Sequence, residues 1–167
     1  MEDRHHLTFE VYEEGRITLD EYLNLVVFHQ RRPFTRSLFR HFMFQRSKPF
    51  PYMIELVSQL KLRMGGKIAI VSNEGRELNA YRMQKFNLHK LADYFISSCF
   101  VHTRKPDVNI FRRALDVAQV QVSQSLFIDN TPMFVQIAEE LAFQSILHID
   151  LKPTRILLSE FCLSVGE

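Results

Sequence analysis

Ile68-Ala69-Ile70-Val71-Ser72-Asn73 is the stretch that decides the fold of this 167-residue chain. Four apolar residues in succession, followed at once by a hydroxyl and an amide side chain, are typical of a strand that is buried on both faces and ends at a polar edge. Three further stretches have the same character. We therefore predict strands over residues 68–71, 95–99, 126–128 and 145–148.

Helical patterns separate these strands. Apolar residues recur at helical spacing over residues 52–64, 76–86, 107–118, 131–143 and 154–163. Strands that alternate with helices at this pitch predict an α/β domain with a parallel sheet and helices on both of its faces.

The first 50 residues lie outside this alternation. Thr18 and Glu21 have the spacing of a capping box, which predicts a helix start, and a second helix is predicted over residues 35–45. Residues 7–12 alternate apolar and polar side chains and fit either a strand or the end of a helix. We therefore divide the chain into a helical segment, residues 1–50, and an α/β core, residues 51–167.

Composition restricts the class of protein. The formal net charge is only +2, which does not favour nucleic acid as a partner. No apolar run approaches the roughly 18 residues of a membrane span, and the polar residues 1–6 do not read as a secretory signal. Basic and aromatic residues interleave over residues 31–48, but their helical spacing favours an amphipathic face.

Cys99 and Cys162 lie in apolar stretches and are predicted to be buried free thiols, which fits the cytoplasm.

Polar groups follow three of the four predicted strands: Ser72-Asn73, Arg104-Lys105-Pro106 and Asp129-Asn130. Ligands of open parallel sheets bind beyond the carboxyl ends of the strands. A hydroxyl at a helix start can hold a phosphate, a lysine can neutralise its charge, and a carboxylate can bind Mg²⁺. Together these residue types predict a site for an anionic ester.

Each motif also has a plainer interpretation. Ser72 and Asn73 could simply turn a strand into a helix, and Lys105 could be a surface lysine before a helix. Asp129 could be an N-cap for the helix that starts at residue 131, a role that can coexist with metal binding. Asn130 could stabilise a turn.

In this order, the motifs resemble those of the haloacid dehalogenase (HAD) superfamily, in the branch with a helical cap inserted after the first strand. The resemblance rests on residues 68–73, on Arg104-Lys105-Pro106-Asp107 with Ile110-Phe111, on residues 126–130, and on residues 13–23 as the start of a cap helix. It covers residues 13–150.

The resemblance implies an HAD-like, Rossmann-like core with a partial helical cap. It implies a phosphatase-type hydrolase that acts on a small phosphorylated or other anionic substrate through an aspartyl-phosphate, with Mg²⁺. Ser72, Asn73 and Lys105 would bind the phosphoryl group, and Lys105 would also be catalytic. Asp129 and Asn130 would be the metal ligands.

The chain departs from the family pattern in three places. The family's nucleophile motif, Asp-x-Asp, precedes the cap, whereas the twelve residues before Glu13 contain a single aspartate, Asp3. The fourth motif is Asp129-Asn130 in place of two adjacent acids, so Mg²⁺ binding should be weak. Ala142 stands where the family has a helix-ending glycine.

We therefore expect this chain to be inactive as it stands. The alternatives are a non-catalytic binding protein or remnant, a reading frame that continues upstream, and a haloacid dehalogenase. The dehalogenase fits less well, because that subgroup has a Ser-Asn pair in its fourth motif.

In the family layout, the first strand lies between the strands that end at Ser72 and Asp129. Without it, two strand edges in the middle of the sheet would be unpaired, which is a severe liability. We expect the gap to be filled by a segment outside the chain, by another chain such as a second copy, or by residues 7–12. The last choice is poor, because Thr8 and Glu10 would then face a buried layer.

Overall fold

The structure is a computed structural model that describes residues 2–165, with side chains described from residue 2 to residue 161. It has four short strands: β1 (Ala69–Ser72), β2 (Tyr94–Ser97), β3 (Leu126–Asp129) and β4 (Gln144–Leu147). Each lies within two residues of a predicted strand, so the apolar runs located the strands correctly.

Nine α-helices surround the strands in residues 2–165: α1 (Glu2–Glu13), α2 (Leu19–Val26), α3 (Arg36–Gln45), α4 (Pro51–Met64), α5 (Arg76–Lys85), α6 (Ser98–Val101), α7 (Val108–Ala118), α8 (Pro132–Glu140) and α9 (Leu151–Val165). Two 3₁₀ turns, Leu88–Lys90 and Val122–Gln124, complete the connections. No helix within the described residues is long and apolar enough to cross a membrane.

The second strand is shorter than predicted. It ends at Ser97, and the next residues form the short helix α6. Ser98 and Cys99 are completely buried there, and the Ser98 hydroxyl donates to the carbonyl of Glu13 at 2.6 Å. The turn into α6 therefore follows from a contact with the distant helix α1, which local sequence does not reveal. Cys99 is a buried free thiol, as predicted, whereas the side chain of Cys162 lies outside the described part of the chain.

The strands form two separate parallel pairs. Ile70 of β1 lies opposite Phe95 of β2, and Ile128 of β3 lies opposite Ile146 of β4. Within residues 2–165, β1 and β3 are not hydrogen-bonded to each other or to a strand between them. The predicted single sheet is thus divided at the position where the family layout predicts two unpaired edges.

One core nevertheless joins the two pairs. Helix α7 packs against β1 and β2, while α8 packs against β3 and β4. The rings of Phe111 on α7 and Phe127 on β3 meet edge to face, with centroids 5.2 Å apart. Burying side chains of this size stabilises a fold by about 1.5–3 kcal/mol each, so the two pairs form one body.

The helical segment has a hydrophobic cluster of its own, formed by Tyr12, Leu19, Tyr22, Leu23, Val26 and Val27. The capping box that the sequence predicts at Thr18 and Glu21 is present. Arg36 and Arg40 of α3 both form ion pairs with Asp20, as expected of an amphipathic helix with its charges at the surface.

Residues 7–12 lie within helix α1, so the strand alternative for them is wrong, and they do not fill the gap beside β1. The helix is stabilised by packing on α2, where the ring of Tyr12 stacks on that of Tyr22 with centroids 4.8 Å apart.

Candidate functional site

Three predicted site residues meet at the carboxyl ends of the strands. The side chain of Asn73, just after β1, accepts a hydrogen bond from the Lys105 amide at 2.7 Å and donates to the Lys105 carbonyl at 2.7 Å. Lys105 Nζ in turn donates to Oδ2 of Asp129, the last residue of β3, at 2.5 Å. Ser72 and Asp129 therefore lie at the same end of the domain, and Lys105 connects them.

Lys105 is not a surface lysine. Only 7% of the residue is exposed, and Nζ lies 4.9 Å from the ring centroid of Phe134 and 5.7 Å from that of Phe127. A buried ammonium is stable only beside an opposite charge. Asp129 supplies that charge, and the faces of the two rings add a weaker attraction. The site thus holds a fixed, largely desolvated cation.

The hydroxyl of Ser72 is the second feature of the site. Its Oγ atom is buried and has no hydrogen-bond partner among the described residues. A buried hydroxyl without a partner costs roughly 1–3 kcal/mol. The position at the strand end and the unused hydrogen-bonding capacity both fit an oxygen atom of a bound ligand.

The backbone amides after Ser72 are only partly free. The amide of Glu74 donates to the Ser98 hydroxyl at 2.9 Å, so it is already used within the protein. The side chain of Asn73 is likewise occupied by the main chain of Lys105. Of the three residues predicted to bind phosphate, Ser72 has an unpartnered hydroxyl, Lys105 has its ammonium bound to Asp129, and the Asn73 side chain holds the main chain of Lys105.

The residues predicted to bind Mg²⁺ do not form a suitable ligand set. Oδ1 of Asp129 accepts from the Thr131 amide at 2.9 Å, and Oδ2 accepts from Lys105. The N-cap of α8 is Thr131, so the alternative that Asp129 is the N-cap is wrong. Asn130 is exposed, and no group of three or more His, Cys, Asp or Glu side chains that could hold a metal occurs in the described chain. Mg²⁺ prefers several oxygen ligands in octahedral geometry, and a single carboxylate already bound to an ammonium does not provide them.

A buried acid beside the site escaped the sequence analysis. Glu74 is 9% exposed and forms an ion pair with Arg82 of α5. Burial raises the pKa of Glu74 to about 7, although the guanidinium of Arg82 acts in the opposite direction. Arg82 also donates to the Ser47 hydroxyl at 3.0 Å, so the pair links the loop after β1 to the connection between α3 and α4. No local sequence pattern marks such a pair.

Helix α1 is attached to the loop that carries Lys105. Arg104 donates to Glu10 at 2.6 Å and to Glu13 at 3.0 Å, and its guanidinium lies over the ring of Phe9. Desolvation raises the pKa of Glu13, and Arg104 opposes that rise. In the sequence, Glu13 stands out only as part of a cap-helix motif, and no local pattern indicates its contact with Arg104.

Gly15 allows α1 to approach α6 this closely. Its φ is +68°, and a Cβ atom there would lie 2.2 Å from the carbonyl oxygen of Cys99. Both the left-handed conformation and the short distance require glycine.

Comparison with known proteins agrees with this architecture. A family model described as haloacid dehalogenase-like hydrolase matches residues 5–140. No curated protein is similar enough to this chain to count as a match. The HAD family enzyme bt-2542 of Bacteroides thetaiotaomicron has a similar solved structure, with a TM-score of 0.73 and 20% identity over 85% of this chain and 73% of that one.

Two further structures are similar. An aspartate-to-alanine variant of the same enzyme, in complex with magnesium and inorganic phosphate, has a TM-score of 0.73 and 18% identity over 84% of this chain and 72% of that one. A predicted HAD-like family hydrolase from Porphyromonas gingivalis has a TM-score of 0.69 and 19% identity over 87% of this chain and 74% of that one. At these identities the structures show a shared HAD-like, Rossmann-type fold. Since the family model spans most of its length, the chain belongs to the haloacid dehalogenase-like hydrolase family.

Proposed function

We propose that this chain binds the phosphoryl group of a small anionic ester, or inorganic phosphate, and that it does not hydrolyse the ester by itself. Two features at the carboxyl end of β1 carry the proposal: the buried Lys105, whose main chain Asn73 holds there, and the unpartnered hydroxyl of Ser72, the last residue of β1. The Ser72 hydroxyl would donate to one phosphoryl oxygen and Lys105 would neutralise the charge of another. Complexes of the similar bacterial enzyme with magnesium and phosphate support phosphate as the ligand class.

Hydrolysis through an aspartyl-phosphate needs a free carboxylate nucleophile. The 167 residues contain no Asp-x-Asp pair, and the one carboxylate that closes the site, Asp129, is bound to Lys105. The described residues of the site also offer no ligand set that fits Mg²⁺, so weak Mg²⁺ binding by Asp129 and Asn130 is the most that we propose. In this proposal the chain is a phosphatase-type HAD domain that still binds the phosphoryl group but does not hydrolyse the ester.

The remaining assignments are part of the same proposal. Residues 1–50 would be a partial helical cap, which is supported by the separate hydrophobic cluster of α1 and α2. A reducing compartment such as the cytoplasm suits the buried free thiol of Cys99.

Titration of inorganic phosphate, followed through backbone amide signals, tests the proposal. We expect shifts centred on Ser72, Asn73 and Lys105, with a dissociation constant of about 1 mM, which corresponds to roughly 4 kcal/mol. The double variant Lys105→Met with Asp129→Asn removes both charges together and should abolish the shifts. Lys90→Ala, at an exposed lysine elsewhere on the domain, is the matched control and should leave them unchanged.

An assay with a generic aryl phosphate should show no turnover, with or without Mg²⁺. Robust magnesium-dependent hydrolysis that Lys105→Ala or Asp129→Ala abolishes would contradict the absence of a nucleophile. Phosphate shifts centred on the basic helix α3 would contradict the location of the site.

A further inference from the structure

The basic residues of this chain are concentrated in one segment. Residues 22–54 contain six Arg and Lys residues and no Asp or Glu, whereas the whole chain has a formal net charge of only +2. The other residues together therefore carry a net negative charge. The basic segment comprises the end of α2, the loop that follows it, α3 and the start of α4. A small total charge thus conceals one strongly basic part of the molecule.

Four large apolar side chains are exposed on this segment. Leu38 and Phe42 are one helical turn apart on α3, and Phe50 and Tyr52 flank the first residue of α4. All four are between 57% and 76% exposed. Only residues 46–50 separate the two helices, so the end of α3 lies within about 20 Å of the start of α4. We call the surface formed by these four residues the α3–α4 patch.

The frame of the α3–α4 patch is fixed to the core. On its inner side, the ring of Phe44 stacks on that of Tyr81 in α5, with centroids 4.8 Å apart. In the connection between α3 and α4, the Ser47 hydroxyl accepts from Arg82 of α5 at 3.0 Å. The apolar side chains of the patch are therefore exposed on a packed segment, and their exposure does not come from a lack of tertiary contacts.

Free cations lie beside the apolar side chains. Three basic residues of the segment are exposed and form no ion pair within the described part of the chain: Arg31, Arg46 and Lys48. The guanidinium of Arg46 lies over the ring of Phe42, 6.0 Å from its centroid. Asp20, the acid that pairs with α3, is bound to two arginines of that helix. The segment therefore combines exposed apolar surface with positive charge that the protein does not neutralise.

We propose that the α3–α4 patch binds the surface of an anionic lipid bilayer. Its apolar side chains would enter the headgroup region, and the free cations would lie next to the lipid charges. A long basic side chain such as Arg46 suits this position, because its stem can lie along apolar groups while its charge stays in water. Tyr52 has the same dual character, and tyrosine is enriched at the membrane–water interface.

Nucleic acid fits the α3–α4 patch less well. Single strands are bound in basic grooves, where aromatic rings stack on the bases. Leu38 has no ring, and Arg46 already lies over the ring of Phe42. A bilayer, in contrast, accepts aliphatic and aromatic side chains alike. The inference does not depend on the proposed function, since it uses none of the residues at the strand ends.

Co-sedimentation of the full chain with lipid vesicles tests the proposal. The two probes are vesicles of phosphatidylcholine alone and of phosphatidylcholine with about one-third phosphatidylserine, which supplies a negative surface charge. We expect binding to the anionic vesicles to be about tenfold tighter or more, because three free cations lie beside the patch. Added salt should weaken this binding, since it screens exposed charges.

Two double variants locate the binding surface. Arg46→Gln with Lys48→Gln should weaken binding to the anionic vesicles by roughly 10- to 30-fold, because each basic residue near such a surface contributes about fivefold. Lys90→Gln with Lys152→Gln is the matched control, since both lysines are exposed elsewhere and the loss of charge is the same. Its binding should stay within about twofold of that of the native chain, because charges far from the bilayer are screened.

A tryptophan reporter distinguishes insertion from charge attraction alone. The chain contains no tryptophan, so Tyr52→Trp places a single one in the α3–α4 patch. We expect its fluorescence to shift to shorter wavelength with the anionic vesicles, because the indole moves into the interface. Leu62→Trp is the control and should not shift, since Leu62 is 86% exposed but lies about 15 Å further along α4.

Four outcomes would overturn the proposal. Equal binding to neutral and anionic vesicles would exclude a role for the cations. Equal weakening in the two double variants would place the binding surface elsewhere. Binding without a fluorescence shift in Tyr52→Trp would show that the apolar side chains do not enter the bilayer. An oligothymidylate that binds more tightly than the vesicles and displaces them would assign the patch to nucleic acid.

Discussion

The side chain of Asn73 forms two hydrogen bonds with the main chain of Lys105: it accepts one from the Lys105 amide and donates one to the Lys105 carbonyl, at 2.7 Å each. This relationship explains why a lysine that lies eight residues beyond the end of β2 reaches the end of β1. An asparagine side chain is suited to this task, because its carbonyl and amino groups match the two main-chain groups of one residue.

We predict that Asn73→Ala will weaken phosphate binding severalfold, although Asn73 is not expected to touch the ligand with its side chain. Losing two partly buried hydrogen bonds should also lower the free energy of unfolding by about 2 kcal/mol. Asn79→Ala is the matched control, since Asn79 accepts a single bond from Ser97 at 3.1 Å and does not contact Lys105 in the structure. It should lower stability and leave phosphate affinity unchanged, as measured by denaturant unfolding and by titration. Equal losses of affinity in both variants would contradict a positioning role.

The second prediction concerns the buried ion pair. Asp129→Asn leaves the Lys105 ammonium buried without its counter-charge, which should reduce the free energy of unfolding by about 3–5 kcal/mol. The same change removes the anion that competes with phosphate for Lys105. We therefore expect phosphate to raise the melting temperature of Asp129→Asn more than that of the native chain. Weaker stabilisation by phosphate in the variant would mean that Asp129 assists binding, as a metal ligand would.

The third prediction concerns Ala142, which adopts a φ of +67° after helix α8. A residue with a Cβ atom is strained in this conformation by roughly 1 kcal/mol relative to glycine. Ala142→Gly should therefore stabilise the domain by about that amount in thermal or denaturant unfolding. Ala80→Gly, in the exposed interior of α5, is the control and should destabilise it by about 1 kcal/mol. Destabilisation by both changes would show that the strain at Ala142 is relieved by its surroundings.

The fourth prediction follows from Glu74, whose pKa burial raises from 4.5 to about 7. Between these two values the folded chain binds a proton that the unfolded chain has released. Stability contributed by this group is therefore complete below pH 4.5 and is lost as the pH rises through 7. We expect the contribution of Glu74 to the free energy of unfolding to be lower at pH 8 than at pH 5 by on the order of 2–3 kcal/mol.

Glu74→Gln should remove most of this dependence in urea unfolding measured from pH 5 to pH 8. A residual slope of the same sign is expected from Glu13, whose pKa burial also raises. Glu21→Gln is the control, because hydrogen bonds from Thr18 lower the pKa of Glu21 from 4.5, so the stability that they contribute is lost only below the pH range measured and the slope from pH 5 to pH 8 should stay as in the native chain. An unchanged slope in Glu74→Gln would show that the carboxyl is not protonated in the folded state at pH 5.

The sequence by itself determined the strands, the order of the elements and the polar groups at the strand ends. Continuous apolar runs such as residues 68–71 indicate strands because they are short and lie between stretches with helical spacing. The capping box at Thr18 was also readable, since it depends on a few neighbouring residues, whereas only the family resemblance singled out the position of Ala142. The division of the sheet beside β1 followed from the order of the motifs together with the family resemblance.

Only the tertiary structure decided what the polar residues do. Asn73 and Lys105 are 32 residues apart, Lys105 and Asp129 are 24 apart, and Arg104 and Glu13 are 91 apart. No local pattern encodes such contacts, because they depend on how the strand ends and α1 come together in space. The same reason explains why residues 7–12 form a helix: their alternation permits a strand, and the packing of Tyr12 on Tyr22 selects the helix.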